Sequence, residues 1–190
     1  GIAGPITFAV LDPDWSNLNN RRKSRGNSGF RNSAATIAES YEGVRESGGD
    51  NQGPEIDKWM ADLGITWPAP WCMGFVQAVY KEACKSAGFD DLLKPDTAHC
   101  LTLWNACREK GWTVSKTAGE RGDIAIFDWG GGKGHTGIVS GYSDGYYIIT
   151  EGNTNDDGSR DGDCVAVKRR AKYNAKLLGF IRVPEPGVAS

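Results

Sequence analysis

The stretch DIAIFDWGGGKGHTGIVSGYSDGYYIITEGNTN, Asp123 to Asn155, decides the fold. It holds three runs rich in Ile, Val, Tyr, Phe and Thr: Asp123 to Trp129, Thr136 to Tyr142 and Tyr146 to Thr150. Gly-rich turns separate them, which predicts strands joined as hairpins. Cys164 to Lys168 and Leu178 to Val183 read as two more strands. Strands that follow one another through short turns pair antiparallel, because a parallel crossover needs a dozen residues or more.

Upstream of this stretch the periodicity changes to that of helices. Ser33 can cap a helix running to about Glu46, with Ala34, Ile37, Ala38, Tyr41 and Val44 at helical spacing. Pro54 suits a first helical position, and Ile56, Trp59, Met60 and Leu63 form the next apolar stripe. After the stiff WPAPW segment, Trp67 to Trp71, Cys72 opens the strongest helix, whose buried face is Phe75, Val76, Val79, Tyr80, Ala83 and Ala87. A fourth helix is expected from a cap at Asp96 to about Lys110. Helices first and strands afterwards predict an α+β fold, with N-terminal helices packed on a five- to six-stranded antiparallel sheet. The expected organisation is an irregular arm over 1–32, one folded domain over 33–184 and a tail over 185–190.

A 190-residue chain buries roughly 70% of its unfolded surface, enough to fold without a disulfide framework. The 22 basic and 24 acidic side chains give a net charge of −2, so no global field draws the protein onto nucleic acid. The one dense basic run, Arg21, Arg22, Lys23 and Arg25, reads as a solvated loop. No stretch of 18 apolar residues exists to span a membrane, and Gly1 to Leu11 lacks the n- and h-regions of a signal peptide. The five cysteines form no CxxC pair and no zinc-ligand spacing, so most are expected to be small buried hydrophobes.

Cys72 differs from the other four. It falls in the first turn of a helix, where unpaired N–H groups carry about half a positive charge and favour thiolate over thiol. The other cysteines are expected inside helices or in a strand, with nothing to lower their pKa. Of two histidines, His99 is expected mid-helix, while His135 stands where a mobile Gly-rich loop enters a strand, exposed and held on one side. A thiolate facing such a histidine is a nucleophile–base pair, and the ring's other nitrogen then needs an orienting group. Glu151 and Asn153, at the end of the next strand, can both reach it. Alternation along an extended segment would put both on one side, with Glu151 the stronger partner because a charge-assisted hydrogen bond is about twice as strong as a neutral one.

PWCMGFV, GDIAIFDW, GHTGIVSG and EGNTND together resemble the CHAP family of cysteine, histidine-dependent amidohydrolases and peptidases, a papain-like family related to the NlpC-type cell-wall peptidases. The similarity covers about residues 34 to 184. It implies a papain-like fold, Cys72 as nucleophile, His135 as base, and Glu151 and Asn153 as the polar orienting pair. The implied activity is hydrolysis of an amide in bacterial peptidoglycan, in a stem peptide or cross-bridge or between muramic acid and L-alanine. The implied setting is the bacterial cell wall, reached by secretion or phage release. The rival readings are a papain-like protease or acyltransferase acting on proteins, and a non-catalytic wall-binding module.

Trp71 and Trp129 are candidates for the substrate groove. NTNDDG, Asn153 to Gly158, partly matches an EF-hand loop, but its twelfth position is Cys164, where a bidentate Glu is needed. Some CHAP relatives hold calcium through an acidic loop before the nucleophile, whereas here only Asp50 and Asp57 are available, widely spaced. No metal, no other cofactor, no nucleic-acid or membrane partner and a monomeric state are expected.

Overall fold

The computed structural model describes residues 29–155 and 162–185. The basic run at 21–25 lies outside the described residues, as do Asp157 and Gly158 of the loop after Asn155. Among the described residues four helices come first: α1 Gly29–Ser40, α2 Pro54–Ala61, α3 Cys72–Ser86 and α4 Cys100–Glu109. Six strands follow: β1 Thr113–Ser115, β2 Ile124–Gly130, β3 Lys133–Ser143, β4 Tyr146–Thr154, β5 Cys164–Ala171 and β6 Leu177–Ile181. All pair antiparallel in one sheet of order β1-β6-β2-β3-β4-β5. This is the α+β arrangement that the order of helix and strand signals predicts, and it is consistent with the papain-like fold that the resemblance implies.

Three boundaries differ from expectation. Helix α1 is already helical at Gly29, the first residue of the described span, and its Phe30 is buried and packs edge-on against Tyr80, with ring centroids 6.0 Å apart. It ends at Ser40, because residues 43–45 leave it to pair with β5: Gly43 N–H bonds to Val165 O, and Val165 N–H to Val44 O. Helix α4 begins at Cys100, not after Asp96. The Asp96 carboxylate accepts from Lys94 Nζ at 2.9 Å, and the chain does not turn helical until after His99, whose backbone is extended. Strand β1 carries no sequence signal beyond three residues.

Helix α3 lies against α1 and α2 on one side and β3 and β4 on the other. Phe75, Val76, Val79 and Tyr80 are fully buried along it, each worth about 1.5–3 kcal/mol for its side chain. Along β2, Ile124 and Ile126 join this main core, while Ala125 and Phe127 alternate onto the other face. There a second, smaller core forms with Val139, Tyr147, Ile149, Leu177 and Phe180. Asp123, at the mouth of β2, is buried and held by Arg182 through its Nε and Nη2 and by Arg31 from α1 at 3.7 Å. Burial still pushes its carboxyl above the ordinary range. No helix among the described residues is long and apolar enough to cross a membrane.

Candidate active site

Pro68 and Pro70 forbid helix up to Trp71, so the first helical turn can form only from Cys72 onward. That leaves the early N–H groups of α3 without intrahelical partners. One of them, on Met73, favours the thiolate of Cys72. Two strands then bring their side chains to this helix end. Their close approach depends on missing β-carbons. A Cβ on Gly152 of β4 would fall 2.7 Å from the Trp71 ring and 2.8 Å from Phe75 Cβ. A Cβ on Gly134 of β3 would fall 2.7 Å from Cys100 Cβ.

His135, third in β3, is paired with Phe127 of β2, and the two rings lie 6.2 Å apart. Its Nε2 lies 2.8 Å from Glu151 Oε2. Its Nδ1 is buried with no hydrogen-bond partner within the protein, and the ring and Cys72 each shift the other's protonation. Nε2 is therefore the orienting nitrogen and Nδ1 the one left for the thiol. The expectation that His135 is exposed is wrong. It has no solvent exposure, because the β2–β3 hairpin is tight and Gly134 seats it against α4.

The electrostatics follow from these contacts. The Cys72 thiol is held well below its ordinary range by the Cys100 contact and by His135, which together outweigh burial. Burial alone would lower the His135 pKa, but Cys72 and Glu151 raise it to about 9. Burial would raise that of Glu151, but Arg170 and His135 bring it below the ordinary carboxylate range. The arrangement therefore favours a thiolate–imidazolium pair backed by a carboxylate.

Two neighbours were not foreseen. Cys100, the first residue of α4, has its sulfur 3.8 Å from that of Cys72. The expectation that nothing lowers the pKa of the other cysteines agrees with Cys84, Cys100 and Cys107, whose thiols are all pushed up; the closeness of Cys100 to Cys72 was not expected. In this pair Cys100 is the protonated partner: the neighbouring Cys72 and burial push its thiol well above the usual value. Arg170, on β5, donates from Nε to Glu151 Oε1 at 2.7 Å and from Nη2 to Oε2 at 2.6 Å. Its guanidinium lies over Phe127, 5.6 Å from the ring centre.

Asn153 sits elsewhere than alternation predicts. It has a positive φ of 53°, and the β4–β5 register shifts between Glu151 and Thr154, so the two side chains do not share a simple strand face. Asn tolerates that left-handed conformation better than most residues. Asn153 is buried but is not among the hydrogen-bond partners of the His135 ring. Trp71 is a core residue, not a groove wall. It is fully buried, its ring lies 5.8 Å from that of Trp59, and its Nε1–H donates to Glu46 Oε1 at 2.8 Å. Trp129, near the end of β2, is 36% exposed. His99 is exposed and precedes α4, not mid-helix as expected.

Cys72 opens into a cleft of about 450 Å³ between Pro70, Thr97, Cys100, Lys133 and Gly134. A second cleft of about 550 Å³ shares Pro70 and is lined by Glu46, Asp50, Asn153 and Asp163. Among the described residues no three His, Cys, Asp or Glu side chains converge as a metal site requires.

Residues 64–153 match the family model described as CHAP domain. The span takes in Cys72, His135, Glu151 and Asn153, and it stops short of Arg170. No curated protein matches the chain.

Proposed function

The chain carries a CHAP domain, and on that premise we propose that it is a cysteine-dependent hydrolase that cleaves an amide bond of bacterial peptidoglycan. The observation that carries this reading is the grouping of three residues: the helix-end thiol of Cys72 and the His135 ring shift each other's protonation, and the buried Glu151 carboxylate lies 2.8 Å from the ring's Nε2.

In the proposed reaction the Cys72 thiolate adds to the amide carbonyl. The oxyanion is met by the backbone N–H of Cys72 at the end of α3. His135, with one proton held on Nε2 by Glu151, passes the other from Nδ1 to the leaving amine as the C–N bond breaks. A thioester remains. Water adds to it while Nδ1 takes up a proton, the C–S bond breaks, and the acid product leaves with the thiolate restored. The Lys133 side of the cleft and the acidic cleft beyond Pro70 flank the thiol. A peptide laid across them would meet opposite charges at its two ends. Trp129 is exposed but lines neither cleft, and it stands only as a candidate contact for the substrate beyond them.

Action at the cell wall, by secretion or phage release, follows from that substrate. The test is loss of turbidity of purified cell walls, with mass spectrometry of the fragments and Cys72→Ser as control. A new amino terminus on stem L-alanine marks an amidase, and one within the stem or cross-bridge marks an endopeptidase. Intact walls beside cleaved protein substrates would overturn the proposal in favour of a protease.

A further inference from the structure

Glu151 has no exposure to solvent. A lone carboxylate so placed takes up a proton in preference to carrying its charge in a poor dielectric. A protonated Glu151 would be a poor acceptor for His135 Nε2–H and would do nothing for an imidazolium. The group that opposes this is Arg170. It stands opposite Tyr147 in the β4–β5 ladder, on the face that Tyr147, Ile149 and Glu151 share, and reaches along β5 to Glu151. Both carboxylate oxygens receive an N–H from it. Two parallel bonds fix the plane of a carboxylate as one bond cannot. Phe127 forms a floor that touches both the Arg170 guanidinium and the His135 ring.

We propose that Arg170 is the positioning residue of this site: it locks the Glu151 carboxylate in plane, keeps it an anion, and leaves Oε2 aimed at His135 Nε2, which turns Nδ1 toward Cys72. The inference rests on the Cys72–His135–Glu151 reading but not on the identity of the substrate. Among the described residues, His135 from β3 and Arg170 from β5 are the charged groups that face Glu151, and Cys72 from α3 and Cys100 from α4 stand beyond the ring.

The test avoids substrate altogether. Iodoacetamide reacts with the Cys72 thiolate, and the rate against pH, read by peptide mass spectrometry at Cys72, reports the acid limb of the ion pair. Removal of the Arg170 charge lets Glu151 protonate at a higher pH, so Arg170→Gln should move that limb up by about one unit, an approximately tenfold slower reaction on its acid side. Arg170→Lys keeps a charge and should restore most of it. In a Glu151→Gln background, Arg170→Gln should move the limb no further. An unmoved limb in Arg170→Gln, or equal shifts in the Gln and Lys variants, overturns the proposal.

Should Arg170→Gln fail to fold, the Lys variant decides. Lysine cannot make the fork, so the downfield proton resonance of His135 Nε2–H should move upfield and exchange faster with water. An unchanged resonance overturns the positioning role. Normal alkylation behaviour beside inactivity on cell walls would instead count against the peptidoglycan reading alone.

Discussion

His135 Nε2 and Glu151 Oε2 lie 2.8 Å apart with neither side chain more than 1% exposed, so this hydrogen bond is made without competition from water. Because Glu151 is ionised and lies on the ring's far nitrogen, it raises the affinity of the imidazole for its second proton.

The first prediction concerns that bond. Below about pH 9 the ring holds both protons, so activity should fall as pH rises through this value. Glu151→Gln removes the charge that raises the pKa, so the basic limb of the pH–rate profile should move to lower pH. Turnover should drop on the order of 10²-fold, the scale of acid–base assistance. Asn153→Ala, at a residue that is not a hydrogen-bond partner of the ring, should cost less and leave the limb in place. The reverse pattern would make Asn153 the orienting group.

Cys72→Ser should abolish hydrolysis while circular dichroism stays that of the wild type, since serine supplies no anion at neutral pH. Cys84→Ser and Cys107→Ser should remain active. Cys100→Ala removes a donor beside the Cys72 sulfur and should raise the acid limb of activity, whereas Cys100→Ser keeps a donor and should shift it less. Full activity in Cys72→Ser would remove it from the nucleophile's role.

Activity should survive EDTA and be lost to thiol alkylation. No three ligand-type side chains converge among the described residues, and Cys72 is held as a reactive thiolate. Loss in EDTA with recovery on adding calcium would show that a cation is bound, with the region of Asp50 and Asn153 the first place to look.

Gly152→Ala should destabilise the protein by about 1–3 kcal/mol, the usual cost of forcing atoms into a packed interior. The added methyl would fall 2.7 Å from the Trp71 ring. Urea unfolding would show it as a lower midpoint at constant m. An unchanged midpoint would mean that β4 can move away from α3 at no cost.

Much of this site is legible in the chain itself. Two prolines followed by an apolar stripe place Cys72 at a helix start, and the hairpin pattern places His135 and Glu151 on adjacent strands. Arg170 is not legible. It sits in the run KRRAK, just past the expected end of a strand at Lys168, and only the β4–β5 register and the hydrogen bonds to Glu151 show which of these arginines reaches it. Cys100 was misplaced for a related reason: Asp96 is a good cap by type, but it spends its carboxylate on Lys94, and the helix waits four residues. The alternation argument for Asn153 failed at a single left-handed residue.

The sheet order sets a limit on how small a working piece of this protein can be made. Strand β2 lies between β3 and β6, and β4 between β3 and β5. An excision trimmed to residues 64–153 would strip both partners away and leave two bare strand edges, a template for aggregation. It would also discard the three arginines that neutralise Asp123 and Glu151, both buried. Any transplant of this activity into another chain therefore has to carry at least the span from Arg31 to Arg182.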